Sequence, residues 1–286
     1  MMPVDAHLQR IERESGVPGL TDALAQLAPT DLKSLLLRVF ERQAERRDPA
    51  TLLAQYERDG TVAAAASNHA LDAAALRAAE GFEPVELAPV APLGLNAVLG
   101  RIHQNNVLST IRNTEVVADP TASLALEAAV RRRRGEESVR LCTLGRILRL
   151  QPIPDLPGYT PHFRLFALVS AGRAQPSHGF EREALSEHLA VYRRLLDGLG
   201  IDGYRCEVAG EPRLDIPGTT YDSERRSTYY DGPMLQIWAT DGDGVTYPLA
   251  DGGRIDWTQR LLSNRKERLL TSAIGISLVS LRFIGA

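Results

Sequence analysis

Arginines at the junctions of turns and strand-like stretches are the residues through which this sequence most clearly offers chemistry. An apolar stretch at 139–150 leads into a Pro/Gly-rich turn at 152–161, and a second apolar stretch follows at 163–169. Together they read as a long hairpin. Arg149 and Gln151 stand just before the turn, and His162 and Arg164 just after it. Alternate residues of a strand share a face, so Arg149 and Gln151 point the same way, and a planar guanidinium suits phosphate or carboxylate. Two readings stay open: the polar floor of a substrate site, or a surface hairpin with solvated edge charges.

Arg225, Arg254 and Arg282 lie at similar junctions. Gathered by a sheet with Arg149, they would form a cage for triphosphate or pyrophosphate; dispersed, they are surface charges. Asp251, Gly252, Gly253 and Arg254 read as a sharp glycine turn, and the glycines would equally let a ligand lie against backbone. Tyr229 and Tyr230 fall in a strand-like stretch at 228–239, which would turn them to opposite faces, so that at most one lines a given pocket. Asp119 and Thr121, in ADPT at 118–121, stand where they cap a helix at 122–134 or meet a substrate amine. Among the six histidines, His162 alone is kept as a functional candidate, beside a structural role.

Other chemistries find no support. There is no Walker-type phosphate loop, dinucleotide fingerprint, histidine-glutamate zinc motif or nucleophile elbow. Cys142 and Cys206 have neither paired spacing nor metal-ligand neighbours, and read as buried thiols of a reducing compartment. A net charge of −3 gives no overall electrostatic footprint for nucleic acid. The arginine run 131–134 is either a local basic patch or a solvated helix end. No apolar stretch is long enough to cross a bilayer, and no targeting core opens the chain, so a soluble cytoplasmic protein is expected.

The elements that would position these residues divide unevenly. Residues 1–68 read as helical: Leu32, Leu35, Leu36, Val39 and Phe40 recur at spacings of three and four, a face expected to pack against something. This stretch is either an appendage or an outer layer of the domain at 69–286. In the latter, helices are expected at 71–80, 122–134, 180–200 and 257–270. Strands are expected through 82–90, 205–208, 228–239, 244–249 and 274–283, and the class is α+β with a mostly antiparallel sheet flanked by helices.

From about Leu71 onward the order of motifs resembles the catalytic core of class II aminoacyl-tRNA synthetases, above all histidyl-tRNA synthetase and its tRNA-free paralogue, the regulatory subunit of ATP phosphoribosyltransferase. GFEPVELAPV at 81–90 resembles the opening of the first motif, and GRILRLQ with GYTPHFRLF the second. RRSTYYDGP at 225–233 resembles the histidyl signature R-G-L-D-Y-Y-x-G, with Thr228 in place of its aspartate. GGRID at 252–256 and GISLVSLR at 275–282 resemble G-G-R-Y-D and the third motif.

The resemblance implies a site in which Arg149 holds the α-phosphate of ATP, Phe163 stacks on adenine, and Gln151, His162 and Arg282 complete the nucleotide site. Arg225 would orient the attacking carboxylate. Asp119, Thr121, Tyr229, Tyr230, Gly252, Gly253 and Arg254 would contact the substrate. Gln151 and Leu281 replace carboxylates that help hold Mg²⁺ or adenine, which weakens Mg²⁺-dependent chemistry. Two functions follow from the resemblance: ATP-dependent activation of an amino acid or related small carboxylic acid as an adenylate, or a non-catalytic regulatory or ligand-sensing subunit. A helical-plus-sheet domain without a small ligand is the third reading. A homodimer pairing through 82–90 is expected, a further protein partner is open, and tRNA anticodon recognition is not expected after the third motif.

Overall fold

The computed structural model describes residues 4–59, 65–150, 152 and 159–284. Two units separate by internal contacts: Met1–Val62 with Thr110–Asn113, and Ala63–Ser109 with Thr114–Ala286. Among the described residues the first contains the helices α1 (Val4–Ser15), α2 (Leu20–Ala25), α3 (Pro29–Ala44) and α4 (Pro49–Asp59). Pro29 opens α3, where a missing N–H costs no helical hydrogen bond. The expected apolar face is present on α3 but uncovered: none of its residues is buried, and Leu35, Val39 and Phe40 are exposed.

The second unit contains α5 (Ala65–Ala78), α6 (Leu95–Val98), α7 (Pro120–Arg133), α8 (Gly179–Gly198), α9 (Trp257–Leu262) and α10 (Ile276–Val279). Its strands are β1 (Glu83–Pro84), β2 (Val90–Pro92), β3 (Thr114–Val116), β4 (Val139–Leu148), β5 (His162–Arg173), β6 (Arg205–Ala209), β7 (Thr220–Asp222), β8 (Met234–Thr240), β9 (Thr246–Ile255) and β10 (Glu267–Gly275). Strands β2 and β3 form a small separate pair. The rest make one sheet in the order β1-β4-β5-β10-β9-β8-β6-β7. It is antiparallel except at its rims, where β1 runs parallel to β4 and β7 parallel to β6. The class is α+β, with the sheet flanked by helices.

Strand alternation splits the core into two layers. On one face Phe166 and Leu168 of β5 and Leu270 and Ile274 of β10 meet Leu185, Leu189 and Tyr192 of α8, with α5 alongside. On the other, Leu165, Ala167 and Val169 meet Ala122, Leu124, Ala125 and Ala128 of α7, and Trp257 of α9. Alanines on α7 carry no side chain beyond Cβ, so this helix can seat close to the sheet. The arginine run at its end is solvated only in part: Arg133 and Arg134 are exposed, whereas Arg132 forms an ion pair with Glu267, both side chains being buried, and Arg131 binds Glu83 and Glu127.

Four local expectations need correction. Residues 251–254 are not a turn but the interior of β9, where glycine is required by close approach rather than by a positive φ. A Cβ on Gly252 would lie 2.6 Å from the Thr271 carbonyl oxygen and closer still to the Ser272 side chain. The helix expected over 257–270 stops at Leu262, because Ser263 takes a left-handed conformation and Asn264 turns the chain into β10, its side chain accepting from the Lys266 N–H. The strand expected over 274–283 ends at Gly275. Ile276, Val279 and Phe283, three and four residues apart, then turn one helical face onto the α8 side of the core. Finally, β8 begins at Met234 rather than at Thr228.

Cys142 and Cys206 are free and buried. No helix among the described residues is long and apolar enough to cross a membrane.

Candidate small-molecule site

Strand order and alternation create a cavity of ≈ 360 Å³ over the middle of the sheet, on the α7 side. Its floor comes from adjoining strands: Phe163 and Leu165 of β5, Thr271 and Ala273 of β10, Asp251 of β9 and Gln236 of β8. Asp251 stands opposite Ala273 on one side and Gln236 on the other, so these three occupy one rung of the ladder. The first turn of α7 supplies Asp119 and Thr121 to the wall, and the loop before β8 supplies Tyr229 and Tyr230.

Asp119 caps α7. One carboxylate oxygen accepts from the Thr121 N–H at 2.9 Å and the Thr121 hydroxyl at 2.7 Å, while the other accepts from the Tyr229 hydroxyl at 3.1 Å. The same carboxylate that satisfies a helix N-terminus therefore also fixes an aromatic wall of the cavity. Both tyrosines line the cavity, contrary to the alternation expected of a strand. The segment is a turn in which Ser227 Oγ accepts from the N–H groups of Tyr229 and Tyr230. Their rings meet edge to face, with centroids 5.0 Å apart. Gly253 makes room for the arrangement, since a Cβ there would lie 2.7 Å from Tyr230 Cγ. Burial, then the neighbouring carboxylate, pushes the Tyr229 hydroxyl well above its ordinary range, and burial does the same for Tyr230. Both remain neutral donors at physiological pH.

Next to the Asp119 cap, Arg149 donates its Nε–H to the Ala118 carbonyl at 3.0 Å, and its guanidinium carbon lies 5.2 Å from the Phe163 ring centroid. A cation held on an aromatic face beside an open cavity is a ready partner for an anion. Asp251 is the second carboxylate of the lining, and its side chain is exposed where it opens onto the cavity. Burial, followed by repulsion from Asp119, raises its carboxyl pKa, while Arg149, Arg225 and a hydrogen bond from Tyr230 work against the rise. Gln236 beside it is only 7% exposed, and its amide oxygen has no hydrogen-bond partner among the described residues.

Of the candidates named from sequence, Asp119, Thr121, Arg149, Phe163, Tyr229 and Tyr230 share the cavity lining. Arg225 acts on it electrostatically through Asp251. The others lie elsewhere: His162 contacts Arg146 at 2.9 Å, Gly252 backs onto Ser272, and Arg254 pairs with Asp231. Arg282 forms ion pairs with Asp241 and Asp243 and lies over the Tyr247 ring. Gln151 lies outside the described residues. The four-arginine cage is thus not assembled here; Arg149 is the member on the lining. Asp251, Gln236 and Thr271 were not singled out in the sequence, because Asp251-Gly252-Gly253 has the composition of a turn and hides a strand.

The fit to ATP is partial. Arg149 and Phe163 suit a phosphate and a base, whereas the charge of Arg282 is already met by two carboxylates. A dedicated Mg²⁺ cage does not fit: among the described residues no three His, Cys, Asp or Glu side chains converge as metal ligands. The lining contributes two carboxylates, and both oxygens of Asp119 already accept hydrogen bonds.

No family model and no curated protein sequence matches the chain. Solved structures do match. One described as an ATP phosphoribosyltransferase regulatory subunit/histidyl-tRNA synthetase from Bacillus halodurans superposes with a TM-score of 0.57 at 11% identity, covering 74% of this chain and 78% of the other. Histidyl-tRNA synthetase from S. aureus gives 0.54 at 17% identity, over 74% of this chain and 63% of its own. Pyrrolysyl-tRNA synthetase from Desulfitobacterium hafniense gives 0.54 at 16% identity, over 87% and 76%. At these identities the likeness is one of fold, and the fold is that of a class II aminoacyl-tRNA synthetase-like catalytic core.

Proposed function

We propose that the cavity binds ATP at its Arg149 and Phe163 end and activates a small amine-bearing carboxylic acid as an adenylate. The observation that carries this reading is that one cavity lining joins a guanidinium on an aromatic ring, Arg149 over Phe163, to two carboxylates, Asp119 and Asp251. A zwitterion placed there directs its ammonium toward Asp119 and Asp251 and its carboxylate toward Arg149. In the reaction a carboxylate oxygen forms a bond to the α-phosphorus, and the bond from that phosphorus to the pyrophosphate leaving group breaks.

The chain's own contribution is alignment and charge. Arg149 meets the phosphoryl oxygens as negative charge gathers on them, and its bond to Ala118 holds the guanidinium in place. Arg225 adds positive potential that offsets part of the carboxylate charge at Asp251 and helps the cavity admit an anionic nucleotide. Any Mg²⁺ arrives bound to the nucleotide phosphates. A homodimer through the β1 rim of the sheet belongs to the same reading, by analogy of fold.

The test is calorimetric titration with ATP and Mg²⁺, with and without each amino acid, followed by pyrophosphate exchange. Saturable ATP binding that one amino acid tightens and Arg149→Ala abolishes supports activation; folded protein that ignores ATP sinks it. A regulatory, ligand-sensing role is the second reading, favoured by the neutralisation of Arg282 by Asp241 and Asp243. It predicts binding of a small zwitterion with no exchange.

A further inference from the structure

The cavity contains more negative charge than one substrate ammonium needs. Asp119 already has three hydrogen bonds from Thr121 and Tyr229, so its role in the wall is fixed before any ligand enters. Asp251 is a second carboxylate at the floor, opening on the same space. Two carboxylates in one enclosed site repel, and their mutual effect is felt at Asp251. A single zwitterion would leave one of them without a cation.

The surroundings of Asp251 narrow the chemistry further. Gln236, its neighbour on β8, is buried, lines the cavity and has an amide oxygen without a partner among the described residues. The Thr271 hydroxyl lies on the same face of the sheet. A carboxylate, an amide oxygen and a hydroxyl offer three acceptors, matching the three N–H donors of a primary ammonium. Across the rung, Ala273 is small and leaves space above the floor, while Leu165 and Leu278 give apolar flanks for a hydrocarbon stem. Methylenes along the walls with an ammonium at the floor is the way a long basic side chain is ordinarily accommodated.

We infer that the floor formed by Asp251, Gln236 and Thr271 is a specificity subsite for a side-chain primary ammonium, and that the substrate is a diamino acid of the lysine or ornithine type. The inference rests on the amino-acid-binding reading above and names its substrate class. Asp251 is the determinant, since it offers the charge that distinguishes an ammonium from a methyl group of similar size.

Matched pairs test it by calorimetry on the full chain: lysine against norleucine, and ornithine against norvaline, each with ATP and Mg²⁺ present and absent. The expected result is a preference of at least about tenfold for one diamino acid over its neutral partner. In Asp251→Asn that preference falls to within about threefold. Gln236→Met, which keeps the charge of Asp251, retains part of it. Circular dichroism checks that each variant is folded, and Asp251→Ser replaces Asp251→Asn if the latter is not. Equal binding of the two partners by wild-type protein, a preference that survives in a folded Asp251 variant, or ATP binding with no response to either diamino acid overturns the inference. Diamino-acid preference without any ATP binding leaves it standing and removes the adenylation reading instead.

Discussion

The two faces of the central strands solve opposite problems with the same residue classes. On the α8 side, His188 is fully buried, with Nε2 3.0 Å from Ser170 Oγ and Nδ1 2.7 Å from Ser272 Oγ, and the Tyr192 hydroxyl also meets Ser272 at 2.7 Å. Each of these four polar side chains has a partner inside the protein. On the cavity side, one residue away along the same strands, Asp251 opens to solvent and the Gln236 amide oxygen lacks a partner among the described residues. Buried polar groups are ordinarily satisfied. The sealed face therefore reads as architecture and the open face as a site awaiting a ligand.

The largest effect that would break this contrast comes from the sealed face. Gly252→Ala places a methyl 2.6 Å from the Thr271 carbonyl and against Ser272, in strand backbone with little freedom to move. Overpacking of this kind costs about 3 kcal/mol. Thermal or denaturant unfolding should show the loss, and an unchanged midpoint would mean that β9 and β10 are less tightly registered than described. On the open face, Arg149→Ala should leave the unfolding midpoint nearly unchanged and weaken ATP binding by tenfold or more, about 1.5–3 kcal/mol for a charged hydrogen-bonding partner. Equal ATP affinity in variant and wild type would move the nucleotide away from the Phe163 end.

Much of this arrangement was legible from sequence, for identifiable reasons. The β4–β5 hairpin and α8 announce themselves by apolar periodicity, and the cap at Asp119 by its place before Pro120 and Thr121. These are local signals. The floor was not legible, because its strand contains Gly252 and Gly253, and composition alone cannot separate a glycine that turns the chain from one that lets neighbours approach. Pairing Tyr229 with Tyr230 on one cavity likewise depends on Ser227 bending the backbone, a hydrogen-bond choice that alternation does not register. The fate of Arg282 was hidden for a different reason: its partners Asp241 and Asp243 are some forty residues earlier in the chain.

A smaller effect sharpens the contrast through pH. Burial, aided by the positive charge of Arg140, lowers the His188 pKa from its ordinary value to about 3. Between that value and about 6.5 the unfolded chain binds a proton that the folded chain refuses. This contribution to stability is present above about pH 6.5 and is lost as the pH falls. His188→Gln should cost about 1–2 kcal/mol at pH 7 by leaving a buried hydroxyl short of a partner. Its deficit relative to wild type should shrink toward pH 4, as seen in denaturant melts across that range. A deficit constant with pH would mean that His188 takes up its proton as readily in the folded chain as in the unfolded one.

Asp251→Asn should produce the smallest change in stability and the opposite sign. Burial and Asp119 raise the Asp251 pKa in the folded chain, so on going up in pH the unfolded chain ionises at about 3.9 while the folded chain still holds its proton. The stability associated with the neutral carboxyl is complete below that value and is lost as the pH rises through the folded pKa. Asparagine, neutral throughout, avoids the loss, so the variant should melt slightly above wild type at pH 7 and coincide with it below about pH 4. The gain is small because Asp251 opens onto cavity water, which screens its charge. A site that becomes more stable when its carboxylate is removed is one in which that carboxylate serves a ligand rather than the fold. If Asp251→Asn instead melts below wild type at neutral pH, the carboxylate is a structural acceptor, and the distinction between an open and a sealed face fails at its central residue.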